Sequence, residues 1–350
     1  MEVKALKFGG LTAKRPIVQG GMGVGVSLSS LAGNVAKCGG VGTISGVHPG
    51  YREADFKENP FRANLRAIGN ELEKAKKIAN GGIIGFNFMT VMNHYEEYVK
   101  EAIAAGADFI VSGAGLPVNL AKYAAGTRAA ILPIVSSARA LKLIVKQWQR
   151  ADRLPDAVVV EGPLAGGHLG YPYGHLVDGT FDTLEDSLVD VVGYVRELEE
   201  KSGVKIPVIA GGGVRNHADM ERLMALGASG VQVGTKFVAT EECDAAPAFK
   251  QAYLRSRKED VQLIESPVGL AARAIRNSFL EKVEKQGRIP VQRCYQCMNH
   301  CKQAETKYCI SQALIDAVQG REGLVFCGAN AYEIEKLSTV EKVMQELCGE

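Results

Sequence analysis

Short runs of β-branched and apolar residues recur along the first two-thirds of the chain, separated by amphipathic segments with helical spacing. The runs are Pro16–Gln19, Val41–Ser45, Ile83–Asn87, Phe109–Ser112, Ile131–Val135, Ala157–Glu161, Val208–Ala210 and Val231–Val233. They are apolar at successive positions instead of alternating, the pattern of parallel strands covered on both faces. The intervening segments include Ser27–Lys37, Tyr95–Ala105, Leu184–Lys201 and Ala218–Leu226. Eight strands alternating with helices predict an α/β fold, a (β/α)8 TIM barrel over residues 1–255. An open doubly wound sheet is the competing arrangement. The absence of a switch in spacing favours the barrel.

From about Ser256 the rhythm stops. Residues 256–350 read as a mostly helical, cysteine-rich extension beside the barrel. Residues 267–284 are expected to be helical after a Pro-Val-Gly break. The tail from Tyr332 is expected to form an amphipathic helix with Ile334, Leu337, Val340, Met344 and Leu347 on one side.

Glycine is abundant, 40 of 350 residues, or about 11% against a usual share of about 7%. One group, Gly39-Gly40, Gly81-Gly82, Gly106 and Gly227, stands between a helix and the next strand, where a left-handed C-cap favours glycine. The other follows strands: Gly20, Gly21, Gly23, Gly25, Gly113, Gly115, Gly162, Gly166, Gly167, Gly211–Gly213 and Gly234. In a barrel these share the C-terminal rim, where active sites are built. A rim of glycine lets backbone approach a flat or phosphorylated ligand closely.

The 41 basic and 39 acidic residues nearly cancel, which speaks against a nucleic-acid footprint. No apolar run is long enough to span a membrane, and Met1–Lys7 lacks a signal-peptide apolar region. The expectation is a cytoplasmic protein acting on a small molecule. In that compartment the eight cysteines are thiols, metal ligands or redox groups. The reading admits a homodimer and an electron-transfer partner.

Ile206–Val214 is a strand ending in Gly211-Gly212-Gly213, with a helix expected near Asn216. Ala228–Thr235 is the next strand and turn. Barrels bind phosphate with the loops after strands 7 and 8 and a helix N-terminus. Neither a P-loop nor a GxGxxG pattern fits these glycines. After strand 6 comes Glu161-Gly162-Pro163-Leu164-Ala165-Gly166-Gly167-His168-Leu169-Gly170. His168 is expected over the barrel mouth on a flexible, glycine-flanked loop, where it can orient a substrate or exchange a proton.

These stretches, with Pro16–Gly23, Gly85–Met89, Gln232–Thr235, Ser266–Gly269 and Arg273–Asn277, resemble the flavin-dependent family that contains nitronate monooxygenases (2-nitropropane dioxygenases) and FMN-type enoyl-acyl-carrier-protein reductases. The resemblance implies noncovalent FMN at the C-terminal rim. It places Gly21, Met22, Asn87 and Ser136 near the flavin ring and Gly166, Gly167, Gly211, Gly212, Gly213, Gly234 and Thr235 near the ribityl phosphate. Glu161 is grouped with these cofactor-binding positions. His168 would lie over the ring, where substrate binds. Leu164 stands where many members carry Glu.

Cys294, Cys297 and Cys301 form a C-x2-C-x3-C run, and Cys309 follows after a gap of seven residues. Three thiolates so spaced can face one centre, with Cys309 completing a tetrahedral set and Cys327 as the rival fourth ligand. Flavin barrel reductases of the 2,4-dienoyl-CoA reductase type carry a similar run binding a four-iron cluster. That similarity favours [4Fe–4S], with zinc as the alternative. The implied activity is oxidation of alkyl nitronates to a carbonyl compound and nitrite. The alternative is NAD(P)H-dependent reduction of an enoyl thioester or a quinone, with FMN and a cluster. A third possibility is a phosphate-ligand barrel of IMP dehydrogenase type with structural zinc.

Overall fold

The computed structural model describes residues 4–299 and 301–350. The chain opens with an antiparallel hairpin, β1 (Leu6–Phe8) and β2 (Leu11–Ala13). Six strands follow in turn: β3 (Ile17–Gln19), β4 (Val41–Ser45), β5 (Ile83–Met89), β6 (Phe109–Gly113), β7 (Ala130–Val135) and β8 (Val158–Glu161). After the short β9 (Gly167–Leu169) come β10 (Val208–Gly211) and β11 (Gly230–Val233), then β12 (Val261–Glu265) and β13 (Ala271–Ile275). Strands β3–β8, β10 and β11 pair in parallel and close into a barrel. β11 returns to β3 with Val231 opposite Ile17 and Val233 opposite Gln19. The (β/α)8 expectation therefore holds.

The unbroken apolar runs have a direct cause. Alternate residues such as Val18, Phe109, Val111, Leu132, Val159 and Ile209 fill the barrel interior. Their neighbours, including Ile17, Ile110, Ile131, Val158, Val160 and Val231, face the surrounding helices. Both faces are buried, so apolar residues predominate at both sets of positions. The β1–β2 hairpin stops the N-terminal end with Leu6, Phe8 and Ala13, and the Phe8 ring meets Phe109 edge-on at 6.0 Å.

The helices begin where the sequence provides caps. Asn59, Ser137, Thr183 and Asn216 each accept a backbone N–H in the first turn of the helix that follows. Gly39, Gly81, Gly106 and Gly227 have positive φ, as expected of helix-end glycines. Among the described residues no helix is long and apolar enough to cross a membrane.

Residues 267–284 depart from expectation. Ala271–Ile275 is a strand, paired antiparallel with β12 on one side and β9 on the other, and a helix starts only at Ser278. The alanines suit a helix locally, but two strand partners override that preference. The tail helix is also shorter, Val340–Cys348, so Ile334 and Leu337 precede it. The apolar cluster runs without a break from the barrel helices into the extension, taking in Phe279, Leu314, Val325 and Met344.

Candidate active site

The C-terminal ends of the barrel strands surround an inner cavity of about 470 Å³. Gly21 and Met22 after β3, Asn87 on β5, Glu161 and Gly166–His168 after β8, Gly212 and Gly213 after β10, and Gly234 and Thr235 after β11 all line it. Thus most of the sequence-predicted cofactor positions, from the ends of five strands, come to one hollow. Gly211 is not part of the lining; it ends β10 against Gln232. Ser136 lines a second, outer cavity of about 900 Å³, with its hydroxyl donating to the Gly170 carbonyl at 3.2 Å. The two cavities meet at Ala114, Ile134, Glu161 and His168.

His168 is not on a flexible loop. It lies on β9, where pairing with Ala272 of β13 fixes its backbone. Its Nε2 is 2.8 Å from the Ser266 hydroxyl, and its ring meets Phe326 edge-on at 5.0 Å. The Val268 N–H donates to the same Ser266 oxygen at 3.4 Å. This pair pins the orientation of the ring, with either the hydroxyl or Nε2 as the donor. Among the described residues Nδ1 has no hydrogen-bond partner. Burial pushes the His168 pKa down to about 4, so the imidazole is neutral at physiological pH. Glu161 shows the converse. Burial raises its carboxyl to about 7, and no cation lies beside it to reverse the shift.

The extension contributes a wall that the sequence did not disclose. Phe326–Asn330 line the inner cavity, and the Gly328 N–H donates to the Thr235 hydroxyl at 3.2 Å. Gly166 is packed against this segment: a Cβ there would lie 2.6 Å from the Cys327 carbonyl carbon. The Arg273 guanidinium donates to the Ala165 carbonyl from the far side of the loop. Of these residues, Ser266 and Arg273 lay inside stretches whose pattern was legible, but no local signal gave their roles.

The cysteines divide. Cys327 is buried in the wall of the inner cavity, its thiol pushed up to about 12 by burial. Cys294, Cys297, Cys301 and Cys309 lie within charge–charge range of one another. The expected tetrahedral set is nevertheless not assembled: among the described residues no three His, Cys, Asp or Glu side chains are disposed to hold a metal ion. Cys309 stands at the N-cap of the following helix, and the exposed Cys294 sulfur accepts the N–H of Gln296 at 3.4 Å.

The model of the nitronate monooxygenase family matches residues 4–350. The chain belongs to that family. Curated relatives include probable nitronate monooxygenases of Staphylococcus saprophyticus, 25% identical over 81% of this chain and 82% of that protein. Those of Staphylococcus aureus are 26% identical over 80% of this chain and 81% of theirs. Among solved structures, FabK from Thermotoga maritima superposes with a TM-score of 0.72 at 24% identity, covering 96% of this chain and 92% of that one. A nitroalkane oxidase from Streptomyces ansochromogenes gives 0.67 at 21%, covering 96% and 95%. These likenesses agree with the barrel and its extension. Family membership makes this nitronate monooxygenase-type chain a flavin-dependent oxidoreductase of FMN type.

The inner cavity suits that cofactor. Its wall is glycine backbone where a planar or phosphorylated group must come close. Gly212 and Gly213 hold φ of +102° and +92°, conformations that side-chain-bearing residues rarely adopt.

Proposed function

We propose that the enzyme oxidises alkyl nitronates to a carbonyl compound and nitrite, with dioxygen as oxidant and FMN in the inner cavity. Bound there, FMN supplies the two-electron redox chemistry. Gly21, Met22 and Asn87 would border its ring, and Gly166, Gly167, Gly212, Gly213, Gly234 and Thr235 its phosphate end. The observation that carries the reading is the state of His168 at the junction of the two cavities. An imidazole with a pKa of about 4 is a poor base for removing a proton from a neutral nitroalkane. A nitronate is already an anion and asks only for a donor, which the neutral imidazole supplies in the tautomer with its proton on Nδ1. The test is nitrite release from preformed nitronate and from the neutral nitroalkane under identical conditions. Turnover at least about 100-fold faster with the nitronate is expected. Equal rates, or no nitrite from either, would reject the reading.

One observation favours a second reading. The outer cavity, about 900 Å³, is far roomier than a short nitronate needs. NAD(P)H-dependent reduction of an enoyl thioester or a quinone would use that room. NAD(P)H consumption dependent on such an acceptor, without nitrite formation from nitronates, would select it.

A further inference from the structure

Glu161 is the last residue of β8, and the reaction as described so far gives its side chain no task. Strand periodicity fixes where that side chain points. Val159 belongs to the cluster that fills the barrel interior, whereas Val158 and Val160 pack among the helices. Glu161, two residues beyond Val159, takes the same direction, at the mouth of the barrel above its apolar interior. The backbone there is held on both sides. The Gly162 N–H donates to the Gly211 carbonyl at 2.9 Å, and the Tyr171 hydroxyl donates to the Glu161 carbonyl at 3.2 Å.

The carboxyl itself is uncommitted. Among the described residues it has neither a hydrogen-bond partner nor an ion pair. On β10, Gly211 stands opposite Glu161 and offers no side chain; on β7, Ile134 is apolar. The titratable groups that face it are His168 on β9 and Tyr171 just beyond. His168 is neutral and engaged with Ser266, and burial raises the Tyr171 phenol, so neither carries charge near pH 7. The cations on the cavity walls, Arg215, Lys236, Lys302 and Lys307, each lie within 3.4 Å of another carboxylate. Of the four residues at which the two cavities meet, Ala114 and Ile134 are apolar and His168 is engaged. Glu161 is thus the uncommitted polar side chain at the place where cofactor and substrate come together.

An anion arriving at this junction meets a group that cannot stay negative beside it. Two like charges in contact share a proton, as paired carboxylates do. We propose that Glu161 is a ligand-binding group of the active site: in its protonated form it donates its O–H to an oxygen of the anionic substrate, beside the neutral imidazole of His168, so that binding the anion takes up a proton. Glu161 then selects a small planar oxyanion over a neutral molecule of the same shape, and it makes that selection proton-linked. The inference rests on the nitronate reading for the identity of the anion. The sign follows from burial, which puts the free carboxyl near 7. Below that pH the donor already holds its proton and affinity is flat; above it each pH unit should weaken binding about tenfold, because the proton must first be taken from solvent.

The test is calorimetric titration of the FMN-loaded chain with propionate, between pH 6 and pH 9, in buffers of two different ionisation heats. Propionate has the same arrangement of heavy atoms as the nitronate of nitroethane and lacks its chemistry; propionamide is the neutral counterpart. Propionate affinity should fall about tenfold per unit above pH 7, with about one proton taken up per anion at pH 9 and almost none at pH 6. Propionamide should bind with no pH dependence. Glu161→Gln should keep FMN, lose the pH dependence and bind propionate at least about tenfold more tightly than the natural chain at pH 9. Should that variant fail to fold, the proton count on the natural chain decides. Propionate affinity independent of pH, no proton uptake at pH 9, or no binding at pH 6 would overturn the inference. So would a pH dependence that survives in Glu161→Gln, since it would belong to His168 or Tyr171. Proton-linked propionate binding without nitrite release from nitronates would strike the proposed reaction alone.

Discussion

Ser266 holds His168 by a hydrogen bond of 2.8 Å between residues 98 positions apart in sequence. The bond exists because β13 lays the extension alongside β9, and it sets the angle of the imidazole. Ser266 is a positioning residue in this arrangement. Ser266→Ala should lower turnover roughly fivefold, the weight of one hydrogen bond of about 1 kcal/mol. FMN content should not change. An unaltered turnover number at full FMN occupancy would show that β9 alone fixes the ring.

His168→Ala removes the donor itself. A fall of about 100-fold in kcat/KM with nitronate is expected, with flavin absorbance per chain preserved. His168→Asn, which keeps an N–H, should fall less than Ala. If Ala and Asn lose activity equally, the role of His168 is not hydrogen-bond donation.

Glu161 makes stability depend on pH in a definite direction. Its carboxyl titrates near 7 in the folded chain and near 4.5 in the unfolded one, because burial disfavours the anion. A raised carboxylate pKa contributes stability that is present at low pH and is lost as pH rises from about 4.5 through 7. Glu161→Gln cannot titrate, so it should resist urea better than the natural chain at pH 8. The advantage should be at most about 3 kcal/mol and vanish by pH 4.5. Parallel urea curves at both pH values would mean that water or a cation reaches the carboxylate.

The barrel was legible because parallel strands buried on both faces leave a distinctive record, and Val158–Glu161 or Val208–Gly211 could hardly be read otherwise. The glycine rim was legible for a similar reason: the requirement is local to each turn. What escaped were features made by distant pairing. Ala271–Ile275 has the composition of a helix and becomes a strand only because Gly167–Leu169 and Val261–Glu265 offer it edges. Phe326–Asn330 reaches the inner cavity through contacts with Thr235 and Gly166, and no periodicity in its own residues records that. The cysteine spacing suggested a centre, but among the described residues no three such side chains are disposed to hold a metal ion.

The join between barrel and extension can be tested at one atom. At Gly166 an added Cβ would lie 2.6 Å from the Cys327 carbonyl carbon, 2.7 Å from its oxygen and 2.7 Å from the Gly328 nitrogen. All three are backbone atoms, so no side-chain rotation relieves the clash and Phe326–Asn330 must shift as a unit. That segment lines the inner cavity and its Gly328 N–H reaches Thr235, so displacement opens the cavity wall. Gly166→Ala should therefore cost about 1–3 kcal/mol in stability and weaken FMN retention. Gly174→Ala is the matched control. That glycine lies in the helix Tyr173–Asp178 with nothing within 4 Å of its would-be Cβ. There alanine should be neutral or stabilise by up to about 1 kcal/mol. Flavin per chain after gel filtration, read beside the melting temperature, separates the outcomes. If Gly166→Ala keeps both flavin and melting temperature, the extension does not close the cofactor site.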